Sequence, residues 1–183
     1  NLYDCGTTVR YWDKGEDGLW TLRAEGTSNY TTTGGVITGG SAGNGGGVYV
    51  YYGTFNMNGG NIVGNTANTA GGGVYVYKGT VTMTKGEIAG NAAKKGGGVY
   101  VYSDNASFSM TDGSITRNKA EGNGGGVCVA TKASFSMTGG SIIDNTAYAN
   151  GSGGVFFNGD TVTLGGTAQI TGNKITGSDP VTE

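Results

Sequence analysis

The chain has 183 residues, of which 40 are glycine, one is proline, 36% are hydrophobic and 10% are aromatic. This high glycine content is not accompanied by a G-X-Y period or by abundant proline, which excludes a collagen-like chain. The apolar fraction argues against a disordered chain. With a net charge of −2, 13% charged residues and no apolar run long enough to span a membrane, the composition predicts neither a nucleic-acid partner nor membrane insertion.

Residues 1–33 do not share the period of the rest of the chain. They contain both tryptophans together with other large apolar side chains: Tyr11, Trp12, Leu19, Trp20 and Leu22. The first coil of a solenoid exposes strand edges and core side chains that need to be covered. We therefore predict an aromatic N-terminal cap over residues 1–33, followed by repeats over residues 34–183.

Within the repeats, three short segments recur about every 26 residues. The first is a Gly-Gly-Val motif whose valines are Val48, Val74, Val99, Val127 and Val155. The second ends at Met57, Met83, Met110, Met137 and Leu164. The third begins at Ile62, Ile88, Ile115, Ile142 and Ile170. An earlier partial unit begins at Ile37, 25 residues before Ile62.

These segments are short, alternating and β-branched, which is typical of strands rather than helices. Three strands per period describe one coil of a solenoid, in which each strand lies ~4.8 Å from its predecessor in a parallel sheet. Parallel crossovers are right-handed in nearly all proteins. The sequence therefore predicts an all-β fold, a right-handed parallel β-helix with about five full coils.

The variability of each column within the repeats predicts which side chains point inward. The columns that contain Val50, Phe55, Met57 and Ile62 stay apolar in every coil, so we expect them to stack as the core. The Tyr51 column reads Tyr, Tyr, Tyr, Ala, Asn and is predicted to point outward. Strand alternation then places the Tyr49 column outward as well.

An asparagine closes each third segment, at Asn65, Asn91, Asn118, Asn145 and Asn173. Asparagine tolerates the left-handed conformation, and its amide can bond the coils above and below. We predict a structural asparagine ladder rather than a ligand site.

Two cysteines are present, Cys5 and Cys128. Four coils of ~4.8 Å separate them by ~19 Å along the axis, whereas a disulfide allows a Cα separation of at most ~6.8 Å. The predicted fold therefore leaves both as free thiols.

The combination of G-G-G-V-Y-V, T-F-x-M-x-G-G and I-x-G-N-x-A resembles the repeats of large surface proteins of gut Firmicutes. The segment Leu2-Tyr3-Asp4-Cys5 is similar to one that often precedes such arrays. A looser similarity links the repeats to those of chlamydial polymorphic outer-membrane proteins. The resemblance covers residues 34–173 well and residues 1–33 weakly. It implies a secreted or wall-associated adhesin, and some proteins of this kind bind immunoglobulins as B-cell superantigens.

Catalysis and metal binding find little support among the residue types. The chain has no histidine, the commonest general base and metal ligand. Asp104, Asp112, Asp144 and Asp160 fall in different columns or coils. Arg117 and Asp144 share a column one coil apart, and we interpret them as a surface ion pair. No calcium-binding repeat or loop motif is present. We therefore predict no enzymatic activity, no metal and no cofactor.

The tyrosines are the strongest functional signal in the sequence. They occupy two outward columns of three consecutive coils: Tyr49, Tyr51, Tyr75, Tyr77, Tyr100 and Tyr102. Tyrosine is enriched at interfaces because it joins apolar area to a hydroxyl at low entropy cost. Tyrosine is also a good strand residue that stacks along a ladder, so the pattern alone leaves a purely structural role open.

The tyrosine columns predict a non-catalytic binding module, and the resemblance implies that it is an extracellular adhesion module of a bacterial surface protein. Its partner would be a host protein, with immunoglobulin as one candidate, or a glycan, bound through the tyrosine face. The alternatives are a structural spacer and a carbohydrate-active β-helix enzyme. Since no leader precedes Asn1 and no closing motif precedes Glu183, we expect a monomeric piece of a longer chain.

Overall fold

The computed structural model describes residues 12–14, 20–24, 29–148 and 151–177, and within these ranges the chain consists of β-strands joined by turns. Successive coils contribute strands to three sheets, whose strands pair in parallel from one coil to the next. Residues 48–176 form five coils of this kind. The predicted all-β parallel solenoid with three strands per coil is therefore confirmed. Among the described residues, no helix is long and apolar enough to cross a membrane.

The first sheet contains the Val-aromatic-Val motif of each coil. Its strands are β1 (Trp12–Lys14), β2 (Trp20–Ala24), β6 (Val48–Val50), β9 (Val74–Val76), β12 (Val99–Val101), β16 (Val127–Val129) and β20 (Val155–Phe157). The pairing from β2 to β20 is parallel and in register, whereas β1 pairs antiparallel with β2.

The second sheet contains both the methionine segment and the isoleucine segment of each coil. Its strands are β3 (Asn29–Thr32), β4 (Val36–Thr38), β7 (Thr54–Val63), β10 (Thr80–Ala89), β13 (Ser107–Met110), β14 (Ser114–Thr116), β17 (Ser134–Met137), β18 (Ser141–Ile143), β21 (Thr161–Leu164) and β22 (Gln169–Thr171). The two segments are continuous in β7 and β10. The predicted third segment is therefore not a face of its own, since it shares the second sheet.

The third sheet is formed by residues that follow the asparagine column, except that its first strand follows Gly40, which stands at the asparagine position of that coil. Its strands are β5 (Ser41–Asn44), β8 (Thr66–Ala70), β11 (Ala92–Lys95), β15 (Lys119–Ala120), β19 (Thr146–Tyr148) and β23 (Lys174–Thr176). The recurrent apolar side chains of this face are alanines, namely Ala67, Ala93, Ala120 and Ala147, which are all buried. These small side chains leave only a weak hydrophobic period in the sequence.

Regular pairing starts before residue 34, the predicted beginning of the repeats. β2 pairs in parallel with β6, and β3 pairs in parallel with β7 over four residues. These strands, with β4 and β5, form a coil that precedes Val48. The predicted boundary between cap and repeats thus falls inside this coil. Of the residues assigned to the cap, Tyr11 and Leu19 lie outside the described residues, as does Cys5.

The core consists of the columns predicted to point inward. In the coil of β9, β10 and β11, Val76, Val81, Met83 and Ile88 are all buried. Three of the four methionines, Met57, Met83 and Met110, also fill the space beside a turn glycine of the next coil; a Cβ added at Gly113, for example, would lie 2.7 Å from Cε of Met83. The flexible thioether therefore reaches a gap that a branched side chain would not.

The Gly-Gly-Gly motif crosses the corner between the third and first sheets at very close range. Gly71 has a φ of 67°, in the left-handed region that favours glycine. A Cβ at Gly73 would lie 2.7 Å from the carbonyl oxygen of Gly98 and 2.9 Å from Cγ2 of Ile88. Backbone proximity thus requires glycine at this corner as much as dihedral freedom does.

Candidate functional site

The tyrosine cluster lies on the outer side of the first sheet. Both of its columns point away from the core. The inner column consists of the middle residues of three successive strands: Tyr49, Tyr75 and Tyr100. The outer column follows the ends of the same strands: Tyr51, Tyr77 and Tyr102. The flanking valines point into the core, so strand alternation turns the inner column away from it.

The inner column is largely buried, although it points away from the core. Tyr75 is 5% exposed and Tyr100 is 8% exposed, within a second cluster that also contains Ala70 and Cys128. The corner backbone closes one side, since a Cβ at Gly71 would lie 2.8 Å from Cβ of Tyr75. The exposed tyrosine face is thus smaller than the six side chains predicted from the sequence, because the inner column packs in this second cluster.

The outer column holds the exposed tyrosines. Tyr51 is 40% exposed and Tyr102 is 44% exposed, and Tyr77 between them is partly buried. Tyr52, which lies outside the two predicted columns, is 42% exposed and packs edge-on against Tyr51, with 4.7 Å between ring centroids. The Tyr-Tyr doublet was the available signal for this fourth ring.

The rings of the cluster stack on one another along the solenoid axis. In the outer column, the centroids of Tyr51 and Tyr77 are 4.8 Å apart with an interplanar angle of 1°, and those of Tyr77 and Tyr102 are 5.5 Å apart. In the inner column, Tyr75 stacks on Tyr49 at 5.0 Å and on Tyr100 at 5.4 Å. Ring faces inside the ladder are therefore occupied by other tyrosines.

Burial has a clear electrostatic effect on this cluster. Loss of solvent raises the pKa of the Tyr100 hydroxyl to about 12, with smaller contributions from Cys128 and Tyr102. The pKa of Tyr75 is raised further, first by burial and then by the neighbouring tyrosines. Burial also raises the pKa of the Cys128 thiol to about 12, and this cysteine is free. The charge of Lys95 opposes part of the pKa rise at Cys128, and Nζ of Lys78 lies 5.7 Å from the centroid of the Tyr77 ring.

The cluster ends abruptly between β12 and β16. The next coil places Cys128 in the inner column and Ala130 at the end of the outer one, and the coil of β20 places Phe156 and Asn158 there. The core valines continue through the same coils, with Val127 and Val129 fully buried. The tyrosines can therefore be replaced without interrupting the stacked strands.

The asparagine column forms a buried hydrogen-bonded ladder along the solenoid. Asn65, Asn91, Asn118 and Asn145 are fully buried. The Oδ1 atom of Asn118 accepts from the backbone N–H and the side-chain amide of Asn91, each at 2.9 Å. The Asn118 amide donates in turn to the carbonyl oxygen of Ile88 and to Oδ1 of Asn145. Asn173 continues this pattern by accepting from Asn145.

The charged residues form no convergent site in the described part of the chain. Arg117 pairs with Glu87 at 3.1 Å, and Thr116 donates to the same carboxylate oxygen at 2.8 Å. Asp144, the column neighbour of Arg117, is not its ion-pair partner in this arrangement. Among the described residues, no group of three or more His, Cys, Asp or Glu side chains could hold a metal ion.

No protein-family model, curated protein or solved structure matches the chain.

Proposed function

We propose that this chain is a non-catalytic binding module that acts outside the cell, at a bacterial surface or in secreted form. In this proposal it contacts a host protein or a glycan through the outer tyrosine column and Tyr52. The observation that carries the proposal is that, in the described part of the chain, the outer column holds tyrosine in three successive coils and then changes to Ala130 and Asn158, whereas the core columns continue beyond them.

The exposed rings combine two properties that suit a binding surface. Their edges and hydroxyls face solvent, so they offer apolar area together with hydrogen-bonding groups. Stacking on the neighbouring rings holds Tyr51 and Tyr77 in place before a partner arrives. Because little side-chain freedom remains to be lost, binding costs less conformational entropy.

Folding alone accounts less well for the outer column. The coil of β16 places Ala130 in this column and the coil of β20 places Asn158 there, and both keep the hydrogen bond to the preceding coil. The inner column already covers the outer side of the first sheet. An exposed aromatic patch that the fold does not require supports a role in recognition.

The proposal can be tested by screening the chain against host secretions, purified immunoglobulin and a glycan array. We expect the double variant Tyr51→Ala, Tyr77→Ala to weaken binding of the identified partner by at least about tenfold, as loss of two interface aromatics does. The matched control is Thr82→Ala, Thr84→Ala on the outer side of the second sheet.

Tyr75 is unsuitable for this comparison because it is buried and its removal would disturb packing. Circular dichroism establishes that both double variants keep the fold. If the tyrosine variant bound as tightly as the threonine variant, the outer column would not be the contact surface.

A further inference from the structure

The outer column contains a gap of one residue at Ala130. Backbone hydrogen bonds fix the register, from Tyr102 N to Val76 O at 2.9 Å, from Ala130 N to Val101 O at 2.8 Å and from Asn158 N to Val129 O at 2.9 Å. Ala130 therefore occupies the place that tyrosine holds in the three preceding coils, and Asn158 occupies the following place.

Tyr102 forms one wall of this gap. Its ring contacts Tyr75, Tyr77 and Tyr100, which belong to its own coil or the preceding one, and among the described residues no ring of a later coil stacks on it. Tyr102 is 44% exposed, and on the side of the coil of β16 its ring has no stacking partner among the described residues. Coils lie ~4.8 Å apart, so Tyr102 and Asn158 are separated by ~9.6 Å along the axis. That separation leaves room for one ring.

The gap joins an apolar face to polar edges. The methyl group of Ala130 forms its floor and packs on the cluster that contains Cys128. At the far wall, Nδ2 of Asn158 donates to Oγ1 of Thr131 at 3.2 Å. Oδ1 of Asn158 accepts no hydrogen bond from any described residue and is exposed to solvent. An amide and a hydroxyl thus stand opposite an open aromatic face.

We propose that this gap binds a single pyranose residue, which takes the place of the missing tyrosine in the ladder. A pyranose has C–H groups on its flat face, which would stack on Tyr102, and hydroxyls at its rim, which would bond Asn158 and Thr131. An aromatic side chain would fill the same thickness but would offer Asn158 and Thr131 fewer hydrogen-bonding groups than the hydroxyls of a pyranose do. This inference rests on the proposed function and names the ligand class for one end of the same surface.

The experiment uses the chain with ¹³C-labelled tyrosine rings and follows the ring signals by NMR. The probes are the methyl β-pyranosides of glucose, galactose and N-acetylglucosamine, with N-acetyltyrosinamide as an aromatic probe. We expect one glycoside to shift the Tyr102 signal saturably, the signal being identified by its loss in Tyr102→Phe. The variant Ala130→Tyr fills the gap and should abolish this shift, whereas the control Ala130→Ser should retain it.

Tyr102→Ala gives a second test that does not depend on how a new tyrosine packs. Because Tyr102 is exposed, we expect this variant to keep the fold by circular dichroism and to bind the glycoside at least about tenfold more weakly. The proposal is overturned if no glycoside shifts Tyr102, if Ala130→Tyr still binds, or if N-acetyltyrosinamide binds in place of every glycoside.

Two combinations of results distinguish the sugar site from the proposed function of the wider tyrosine surface. If Tyr51→Ala, Tyr77→Ala loses the host partner while Ala130→Tyr keeps it and no glycoside binds, the surface is functional and the sugar site is wrong. If a glycoside binds at Tyr102 and the variant Tyr51→Ala, Tyr77→Ala still binds the host partner, the sugar site is supported and the proposed role of the wider tyrosine surface is wrong.

Discussion

At the scale of the residue, the asparagine ladder shows how one side chain serves two coils. Oδ1 of Asn91 accepts from the backbone N–H of Asn65 at 2.9 Å and from its side-chain amide at 3.0 Å. The Asn91 amide donates to the carbonyl oxygen of Ile62 and to Oδ1 of Asn118. All of these atoms lie away from water, so they depend on each other for hydrogen bonding.

We expect Asn91→Ala to lower the free energy of unfolding by at least about 2 kcal/mol, because several buried polar groups lose their partners at once. Asn58→Ala is the control, since Asn58 is exposed and accepts a hydrogen bond from Thr84. Urea denaturation of the two variants measures the difference. Equal stability would mean that water replaces the lost amide and that the ladder contributes little.

The buried tyrosines predict how stability depends on pH. Tyrosine ionises near pH 10 in an unfolded chain, whereas the pKa of Tyr100 is raised to about 12 in the fold and that of Tyr75 is also raised. Above pH 10 the unfolded chain therefore binds fewer protons than the folded one. The contribution of these two hydroxyls to stability should be constant up to about pH 10 and then fall by up to about 1.4 kcal/mol per pH unit for each group. The buried Cys128 thiol, whose pKa is raised to about 12 from an ordinary value near 9, adds a fall that begins near pH 9.

Denaturant titrations at pH 8, 10 and 11 measure this fall. The double variant Tyr75→Phe, Tyr100→Phe keeps the rings and removes the hydroxyls, so its stability should change less over the same range. An equally steep fall in this variant would assign the pH dependence to other groups.

At the scale of the element, the glycine-rich corner sets how closely successive coils approach. We expect Gly73→Ala to cost about 1–3 kcal/mol, because its methyl group would overlap the Gly98 backbone of the adjacent coil and the Ile88 side chain of its own coil. Gly43→Ala is the matched control: Gly43 has nothing within 4 Å of an added Cβ and no left-handed φ. Thermal and urea denaturation should show Gly43→Ala to be neutral or slightly stabilising. If both variants were equally stable, the corner would be able to relax outward.

The strands that face the core could be predicted from the sequence because their side chains recur with large, apolar and similar shapes. Val50, Phe55, Met57 and Ile62 are buried as expected. The third sheet could not be identified in this way, since its inward residues are alanines such as Ala67, which also occur in turns. A short strand with small side chains gives little hydrophobic period to detect.

The tyrosine columns could be placed outside the core from strand alternation, but their burial could not be predicted. Tyr75 and Tyr51 lie on the same side of the first sheet, yet Tyr75 is packed beside the corner at Gly71 and Tyr51 is exposed. That difference arises from how near each column lies to the adjoining sheet. Alternation within one strand contains no information on this distance.

At the scale of the whole molecule, the coil of β20 to β23 leaves core columns exposed. Its apolar side chains are 38–60% exposed, at Val162, Leu164, Ile170 and Ile175. The matching residues of the coil of β9 to β11 are buried. An apolar face bordered by strand edges favours association with other chains.

From this end we expect concentration-dependent self-association of the 183-residue chain, in contrast to the monomer expected from the sequence. The double variant Leu164→Lys, Ile175→Lys should reduce it, because charges on the face oppose contact. Val36→Lys is the control, since Val36 is 49% exposed but lies on the outer side of the second sheet. Sedimentation velocity over a range of concentrations compares the self-association of the wild-type chain, the double variant and the control. A wild-type chain that stays monomeric throughout would show that the exposed end does not drive association.

The hydrogen bonds that join one coil to the next, including those of the asparagine ladder, run along the solenoid axis. A force applied along that axis therefore breaks the hydrogen bonds between one pair of coils at a time. It does not load the hydrogen bonds of many coils in shear at once. Each coil of about 26 residues that comes away would lengthen the chain by roughly 90 Å. Under tension the molecule would therefore unfold and lengthen in steps of one coil, and the coils that are still folded would keep their outer surface unchanged.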